Sequence, residues 1–471
     1  MKNELVPRPP SRGSGEEPDR GVGRAPPPSI GAHWHSSKPS AKACAPPRPA
    51  PPSARCACDN LHVPTASELL RSPEGRRLLR DSAAYEEEAA LRPLALGEKL
   101  RARGVDPALA TAVAAQIALR ARARAKLGDV AARMLFTRDG LEQATRLEVA
   151  REHARRFREA GASRVADLGC GIGSDSRALA EAGLSVLAVD LDAETAALAA
   201  ENLSDYPRAQ VRQGDVTALS MAELAAQGVD ALFADPARRS GIARGGGRIH
   251  DPESWSPPLS QVLSWRATIP MLGVKVAPGI AHAALPEDAR AEWTSVNGSL
   301  VEAAIWTGPL ALEGPGRSAL VISGTRAERL DEEGARPACA PVRPAEIGAL
   351  GRYLGEPDDA VIRAGLVARL AELSGARLIS EAIAYLSAEA PTDSPFLTWF
   401  EVVEVVPLKA KAISAALRGL GVGRVEVKKR GADIDPAALR ASLRLDGDQD
   451  AVVIATRVAG RHRAIIARRR V

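Results

Sequence analysis

No run of apolar residues in this chain of 471 approaches the roughly eighteen that a membrane-spanning helix needs, which excludes a helical membrane protein. Met1 to Pro10 also lacks the apolar segment of a secretory leader, so a cytoplasmic protein is expected. Cysteine is scarce, with three of the five residues (Cys44, Cys56, Cys58) crowded near the start. That distribution excludes a disulfide framework. Cys56-Ala57-Cys58 lies near His33, His35 and His62, but it lacks the two-residue gap of a zinc knuckle and no second cysteine pair answers it, so no metal is expected. A large excess of charge is missing too. The net charge is +5, and residues 1–60, with nine Lys/Arg against five Asp/Glu, carry most of it. The rest of the chain is close to neutral, so affinity for nucleic acid has to come from local patches.

The chain is long enough for two or three domains with cores of their own. Residues 1–61 are rich in proline and arginine with few large apolar side chains, and are expected to be a disordered tail. Residues 62–160 read as helical. Thr65-x-x-Glu68 has the form of a capping box, Ser72-Pro73-Glu74 and Asp106-Pro107 are helix starts, and Ala108 to Lys126 is alanine-rich. Leu69, Leu70, Leu78 and Leu79 are candidates for a core. Arg120, Arg122, Arg124 and Lys126 alternate along that helix rather than forming one stripe, which favours a solvated face over an RNA patch.

The informative stretch is Arg164 to Asp192. Arg164–Leu168 is a short apolar run, Gly169, Gly171 and Gly173 follow, Ser176–Ala182 has helix formers, and Ser185–Val189 is a second apolar run ending at Asp190. A strand, a glycine turn, a helix and a strand ending in a carboxylate fit a nucleoside-containing ligand. The glycines are spaced G-x-G-x-G, not the G-x-G-x-x-G of a dinucleotide site, and Asp167 and Asp175 flank them. Two carboxylates repel a diphosphate and attract an ammonium, such as that of an amino-acid tail.

Asp167 to Gly173, D-L-G-C-G-I-G, resembles the first motif of class I S-adenosylmethionine (SAM)-dependent methyltransferases, and Asp190 to Asp192 resembles their ribose-binding acidic motif. The resemblance implies an α/β fold, a Rossmann-like class I methyltransferase sheet over residues 161–324, and SAM as cofactor. It implies Asp167, Gly169, Gly171, Gly173 and Asp190 at the cofactor, Asp215 at the adenine, and Gln143 and Thr145 near the methionine carboxylate. Helix capping is an equally good reading of Gln143 and Thr145.

Asp230–Ala234 reads as a fourth strand delivering Asp235-Pro236-Ala237-Arg238-Arg239 to the edge where open α/β sheets place their sites. This is similar to the family's fourth motif, which implies Asp235 and Pro236 as the catalytic pair, with the carboxylate and neighbouring carbonyls accepting from an amine. Arg238 stands where an aromatic ring would stack, and Arg238 and Arg239 suit a phosphate-bearing substrate. The motif is also similar to that of RNA 5-methyluridine methyltransferases, but the fifth strand, Met271–Val276, is followed by Ala277-Pro278-Gly279 with no cysteine. Direct transfer to nitrogen or oxygen is therefore expected, with Lys275 as a phosphate contact. Gly241 to Ser256 reads as a loop over the site, with His250 a possible base and Trp255 an aromatic grip. Around Asn297-Gly298, flanking apolar runs predict a hairpin.

Residues 325–345 read as a linker, with Pro337, Pro341 and Pro344. In 346–471, the segment from Arg352 leads into helices, and then runs from Thr398 to Arg469 alternate as strand, helix, strand, helix, strand, strand, a small α+β layer. With Y-L-G-E-P-D-D-A-V-I-R-A-G-L and V-K-K-R-G-A-D-I-D-P, it resembles the THUMP-like C-terminal domain of a family of bacterial SAM-dependent methyltransferases. That implies RNA, tRNA or rRNA, as substrate, with Lys428, Lys429 and Arg430 as substrate contacts and Arg461, Arg463 and Arg468 to Arg470 nearby. The alternative is a small-molecule or protein methyltransferase whose C-terminal unit is an interaction module.

Overall fold

The computed structural model describes residues 64–237 and 251–470; Arg238, Arg239, His250 and the expected tail lie outside them. The N-terminal helices start where the capping residues predict. Thr65 and Glu68 form the reciprocal capping box, Ser72 accepts from Gly75 N, and Asp106 accepts from Ala108 N and Leu109 N. Leu70, Leu78 and Leu79 pack with Leu96, Leu100, Val113 and Ile117, and Leu198 from a later helix joins that core. Three of the four alternating cations on helix Pro107–Leu127 are tied to protein. Arg120 is buried and donates to Met134 O, Arg124 pairs with Glu86, and Lys126 donates to Leu141 O and Glu142 O.

Nine strands form the first sheet among the described residues. They are β1 (Arg164–Leu168), β2 (Ser185–Asp190), β3 (Ala209–Gln213), β4 (Ala231–Ala234), β5 (Met271–Val276), β6 (Arg290–Val296), β7 (Ser299–Trp306), β8 (Gly316–Ser323) and β9 (Arg326–Asp331). The order is β3-β2-β1-β4-β5-β7-β6-β8-β9, with β1 to β5 parallel and β7 antiparallel to both β5 and β6. The succession of strands runs outward one way from β1 to β3 and the other way from β4 to β5, and this switch between β1 and β4 opens a crevice at their carboxyl ends. Asn297 and Gly298 both take positive φ in the β6–β7 hairpin, as an Asn-Gly turn demands. The expected linker requires correction: its first residues are β9, paired antiparallel with β8. Its R-A-E-R-L-D sequence is mostly exposed and offers little apolar signal.

The second sheet has seven strands among the described residues. They are β10 (Tyr353–Pro357), β11 (Arg377–Ser380), β12 (Ile383–Ala388), β13 (Leu397–Pro407), β14 (Val422–Lys429), β15 (Gln449–Val458) and β16 (Arg461–Arg469), in the order β11-β12-β10-β13-β16-β15-β14. The alternation predicted from Thr398 onward matches β13 to β16 and the helices Ala410–Gly419 and Pro436–Ser442 between them. The reading that Arg352 leads straight into helices misses β10, β11 and β12. Helix Asp359–Ala364 follows β10 in sequence yet packs on β6 and β8 of the first sheet. Ala360, Val361 and Ala364 share one core with Ala291, Trp293 and Ala319, and Leu397 and Trp399 belong to the same core. The two sheets therefore share a hydrophobic core rather than meeting at a linker.

Candidate active site

The glycine turn leaves β1 at a sharp angle because Gly169, Gly171 and Gly173 all take positive φ, at 87°, 55° and 83°. A Cβ at Gly169 would come within 3.2 Å of Asp235 O, so that glycine also lets the turn approach the end of β4. Above Gly171 there is open space. Helix Ser174–Glu181 begins directly after the turn. Asp190 is half-buried at the end of β2, and its two oxygens accept from Gly171 N (2.9 Å) and Asp192 N (3.0 Å). Each oxygen keeps a lone pair for a hydroxyl, which fits a ribose. Asp215 is exposed and caps its own turn through Thr217.

Under the turn lies a chain of buried polar groups. Asp167 is buried and accepts from Ser176 Oγ; burial, reinforced by the negative Asp175, pushes its carboxyl up to about 7. Asp175 accepts from Thr145 Oγ1 (2.5 Å) and contacts His153 Nδ1 (2.9 Å), while His153 Nε2 contacts Glu302 on β7 (2.7 Å). Burial by itself would lower the imidazole, but Glu302 and Asp175 outweigh it and push His153 up to about 10, so the ring is a cation. Burial would raise Asp175, and the hydrogen bond from His153 reverses that and holds it below its ordinary value.

The chain continues toward the end of β4. Lys275 Nζ on β5 donates to Thr145 Oγ1 (3.0 Å) and to Asp235 Oδ2 (2.5 Å). Burial disfavours the ammonium, but Asp235, then Asp175 and Glu302, hold its pKa above the ordinary value. Lys275 is 8% exposed. The reading of Lys275 as a phosphate contact is corrected accordingly: it is an internal partner of Asp235, whose side chain is 29% exposed. Thr145 belongs to this chain, whereas Gln143 is exposed at the end of helix Arg138–Gln143. That helix lies on the glycine turn, with Gly140 against Ile172.

Trp255, expected to grip a substrate, is buried beside Leu259 in the core instead. On the second sheet, Lys428 pairs with Glu356 (2.5 Å), Lys429 donates to Ile434 O (2.7 Å) and Arg430 pairs with Asp359 (3.3 Å). All three are engaged within the protein. Sequence reasoning missed His153 and Glu302 altogether. The available signal for His153 is its place on a helix stripe with Val149, Ala150, Ala154 and Phe157. No metal-binding cluster of His, Cys, Asp and Glu occurs among the described residues, and no described helix is long and apolar enough to cross a membrane.

The glycine turn, the open space over Gly171, the Asp190 carboxylate and the acidic groups beneath suit a ligand with a ribose and a cationic amino-acid tail. A diphosphate would meet negative charge there. A family model described as a methyltransferase domain matches residues 165–237, one described as THUMP domain-like matches 397–469, and a domain of unknown function matches 64–123. A solved structure of a candidate methyltransferase from Porphyromonas gingivalis W83 covers 83% of this chain and 98% of its own at a TM-score of 0.63 and 20% identity, a likeness of fold. Two curated Mycobacterium tuberculosis proteins, from strains CDC 1551 and H37Rv, are described as uncharacterized S-adenosylmethionine-dependent methyltransferases. Each is 33% identical over 351 residues, spanning 72% of this chain and 90% of the relative. Identity of that extent over nearly all of those relatives makes this chain a member of the S-adenosylmethionine-dependent methyltransferase family.

Proposed function

We propose that the protein methylates structured RNA, tRNA or rRNA, by direct transfer to a nitrogen or oxygen, with Asp235 and Pro236 shaping the acceptor site. The observation that carries the transfer chemistry is the partly exposed Asp235 carboxylate held beside the glycine turn. S-adenosylmethionine supplies an electrophilic methyl group on a sulfonium. Asp167, the three glycines, Asp190 and Asp215 bind the cofactor, and Asp235 accepts a hydrogen bond from the acceptor and orients its lone pair in line. Among the described residues a covalent cysteine mechanism finds no support: Cys170 is buried in the turn, where burial raises its thiol pKa well above the ordinary value, and Cys339 lies on the segment after β9.

RNA is favoured by the THUMP domain-like match on β13 to β16 and by the shared core that fixes the start of β13, through Leu397 and Trp399, to the catalytic sheet. Of the arginines expected near the end of the chain, Arg461, Arg468 and Arg470 are exposed and without side-chain partners among the described residues. Arg238 and Arg239 remain proposed substrate contacts, whereas Lys428, Lys429 and Arg430 already have internal partners. The test is transfer of labelled methyl from S-adenosylmethionine to total RNA from cells lacking this protein, with Asp235→Ala as the blank. Label in RNA with the intact protein alone is expected. Cofactor binding with no labelled RNA fraction would remove RNA and leave a small-molecule or protein acceptor. Removing residues 346–471 is a poor test, because it also strips helix Asp359–Ala364 from β6 and β8.

A further inference from the structure

Lys275, Thr145 and Asp175 join two places that methyl transfer has to align. One end of the chain is Asp235, at the tip of β4. The other is Asp175, in the first turn of the helix that follows the glycine turn. Thr145 sits between them with its hydroxyl fully directed: it donates to Asp175 Oδ2 and accepts from Lys275 Nζ. Its backbone is tied to the same place, because helix Arg138–Gln143 rests on Ile172 of the turn and Lys126 holds that helix's last carbonyls. The whole chain is buried except at Asp235. Water is excluded from the link and reaches the carboxylate alone, so the hydrogen bonds act at low dielectric where geometry is costly to change.

We propose that Lys275 and Thr145 are positioning residues coupling the cofactor pocket to the acceptor carboxylate. Lys275 holds the Asp235 carboxylate in place by engaging Oδ2, which leaves Oδ1 to meet the acceptor. Thr145 makes that arrangement depend on the glycine turn and on the segment packed over it, so that a cofactor seated on the turn firms the acceptor site. The coupling is reciprocal: breaking the chain at the acceptor end loosens the cofactor end. This inference rests on the reading of Asp235 as the acceptor carboxylate.

Calorimetric titration with S-adenosylhomocysteine, which needs no acceptor, tests the link in Lys275→Met, Thr145→Val, Thr145→Ser and the Lys275→Met/Thr145→Val double variant. Each of the first two is expected to weaken binding by about three- to tenfold, the loss of one hydrogen bond in the chain. The double variant is expected to be no weaker than the worse single one, and Thr145→Ser to restore wild-type affinity. A control, Thr307→Val, deletes a buried hydroxyl bonded to Pro270 O outside the chain and is expected to leave binding unchanged. Losses that multiply in the double variant, singles that bind like wild type, or a control that weakens binding as much would overturn the coupling. With labelled RNA, Lys275→Met is expected to lower kcat on the order of 100-fold at unchanged KM for RNA. A raised KM at unchanged kcat would instead make Lys275 a substrate contact. If the intact protein labels no RNA, the RNA reading falls while the binding series still decides this one.

Discussion

Helix Leu147–Glu159 sends a buried side chain into each of two ionic networks, and they differ in where they end. His153 leads through Asp175, Thr145 and Lys275 to Asp235, which reaches solvent beside the glycine turn. Arg156 leads to Glu292 and Glu313, which Arg329 also bridges, while Arg290 donates to Arg317 O and Glu313 O and Arg317 pairs with Glu332. Arg156, Arg290 and Arg317 are each at most 1% exposed. This second network reaches solvent too, at Glu313, Arg329 and Asp331, but it does so beside β6, β8 and β9 and is closed only toward the glycine turn. Buried charge alone therefore does not mark a site. An open end next to a backbone that admits a ligand does.

The largest effect is expected where the closed network is cut. Arg156→Met leaves Glu292 and Glu313 short of a partner, and losing one side of a buried pair costs about 3–5 kcal/mol. That corresponds to a midpoint lowered by roughly 5 °C, read by thermal melting, with S-adenosylhomocysteine affinity unchanged below the transition. Next comes the open network: Asp235→Ala is expected to cut methyl transfer at least about 100-fold with a smaller loss in melting temperature. A variant from the closed network that lost transfer without losing stability would erase the contrast.

The pH dependence separates the two further. The folded pKa of His153 lies at about 10 against 6.5 for a free imidazole, so the cation stabilises the fold fully below pH 6.5 and that stability is lost as pH rises toward 10. Lys126, lowered by burial to about 8, opposes the trend above pH 8, because there the unfolded chain binds the extra proton. The fall is therefore steepest between pH 6.5 and 8, and His153→Gln is expected to flatten it in melts across that range. A smaller contrast sets Gly169→Ala against Gly104→Ala. Both positions have positive φ, 87° and 82°, and share a strain of about 1 kcal/mol, but only the first is expected to weaken S-adenosylhomocysteine binding, by about tenfold. Smallest is Asp215→Ala: its carboxylate is exposed, and a loss of cofactor affinity below about tenfold is expected in the same titration.

The parts legible in the sequence are those fixed by neighbours along the chain. Glycines that need positive φ, an Asn-Gly hairpin, capping residues and the alternation of β13 to β16 are local signals. What was hidden depends on distant partners. Lys275 reads as a lone cation in an apolar strand until Asp235 and Thr145 are set beside it. Lys428 and Arg430 read as free until Glu356 and Asp359 arrive from some seventy residues away. β10 was obscured by Gly355 and Pro357, residues that normally break strands. The glycine is needed there, because a Cβ would come within 2.9 Å of the Trp399 ring.

Helix Asp359–Ala364 also bears on synthesis order. It covers β6 and β8, so a ribosome that has released the glycine turn and all nine strands of the catalytic sheet has still made an unfinished enzyme, with an apolar face uncovered. Arrested nascent chains are expected to stay protease-sensitive in this sheet until residue 364 has left the exit tunnel and to become resistant once it has. Protection gained before residue 359 emerges would show that the sheet closes without its cover.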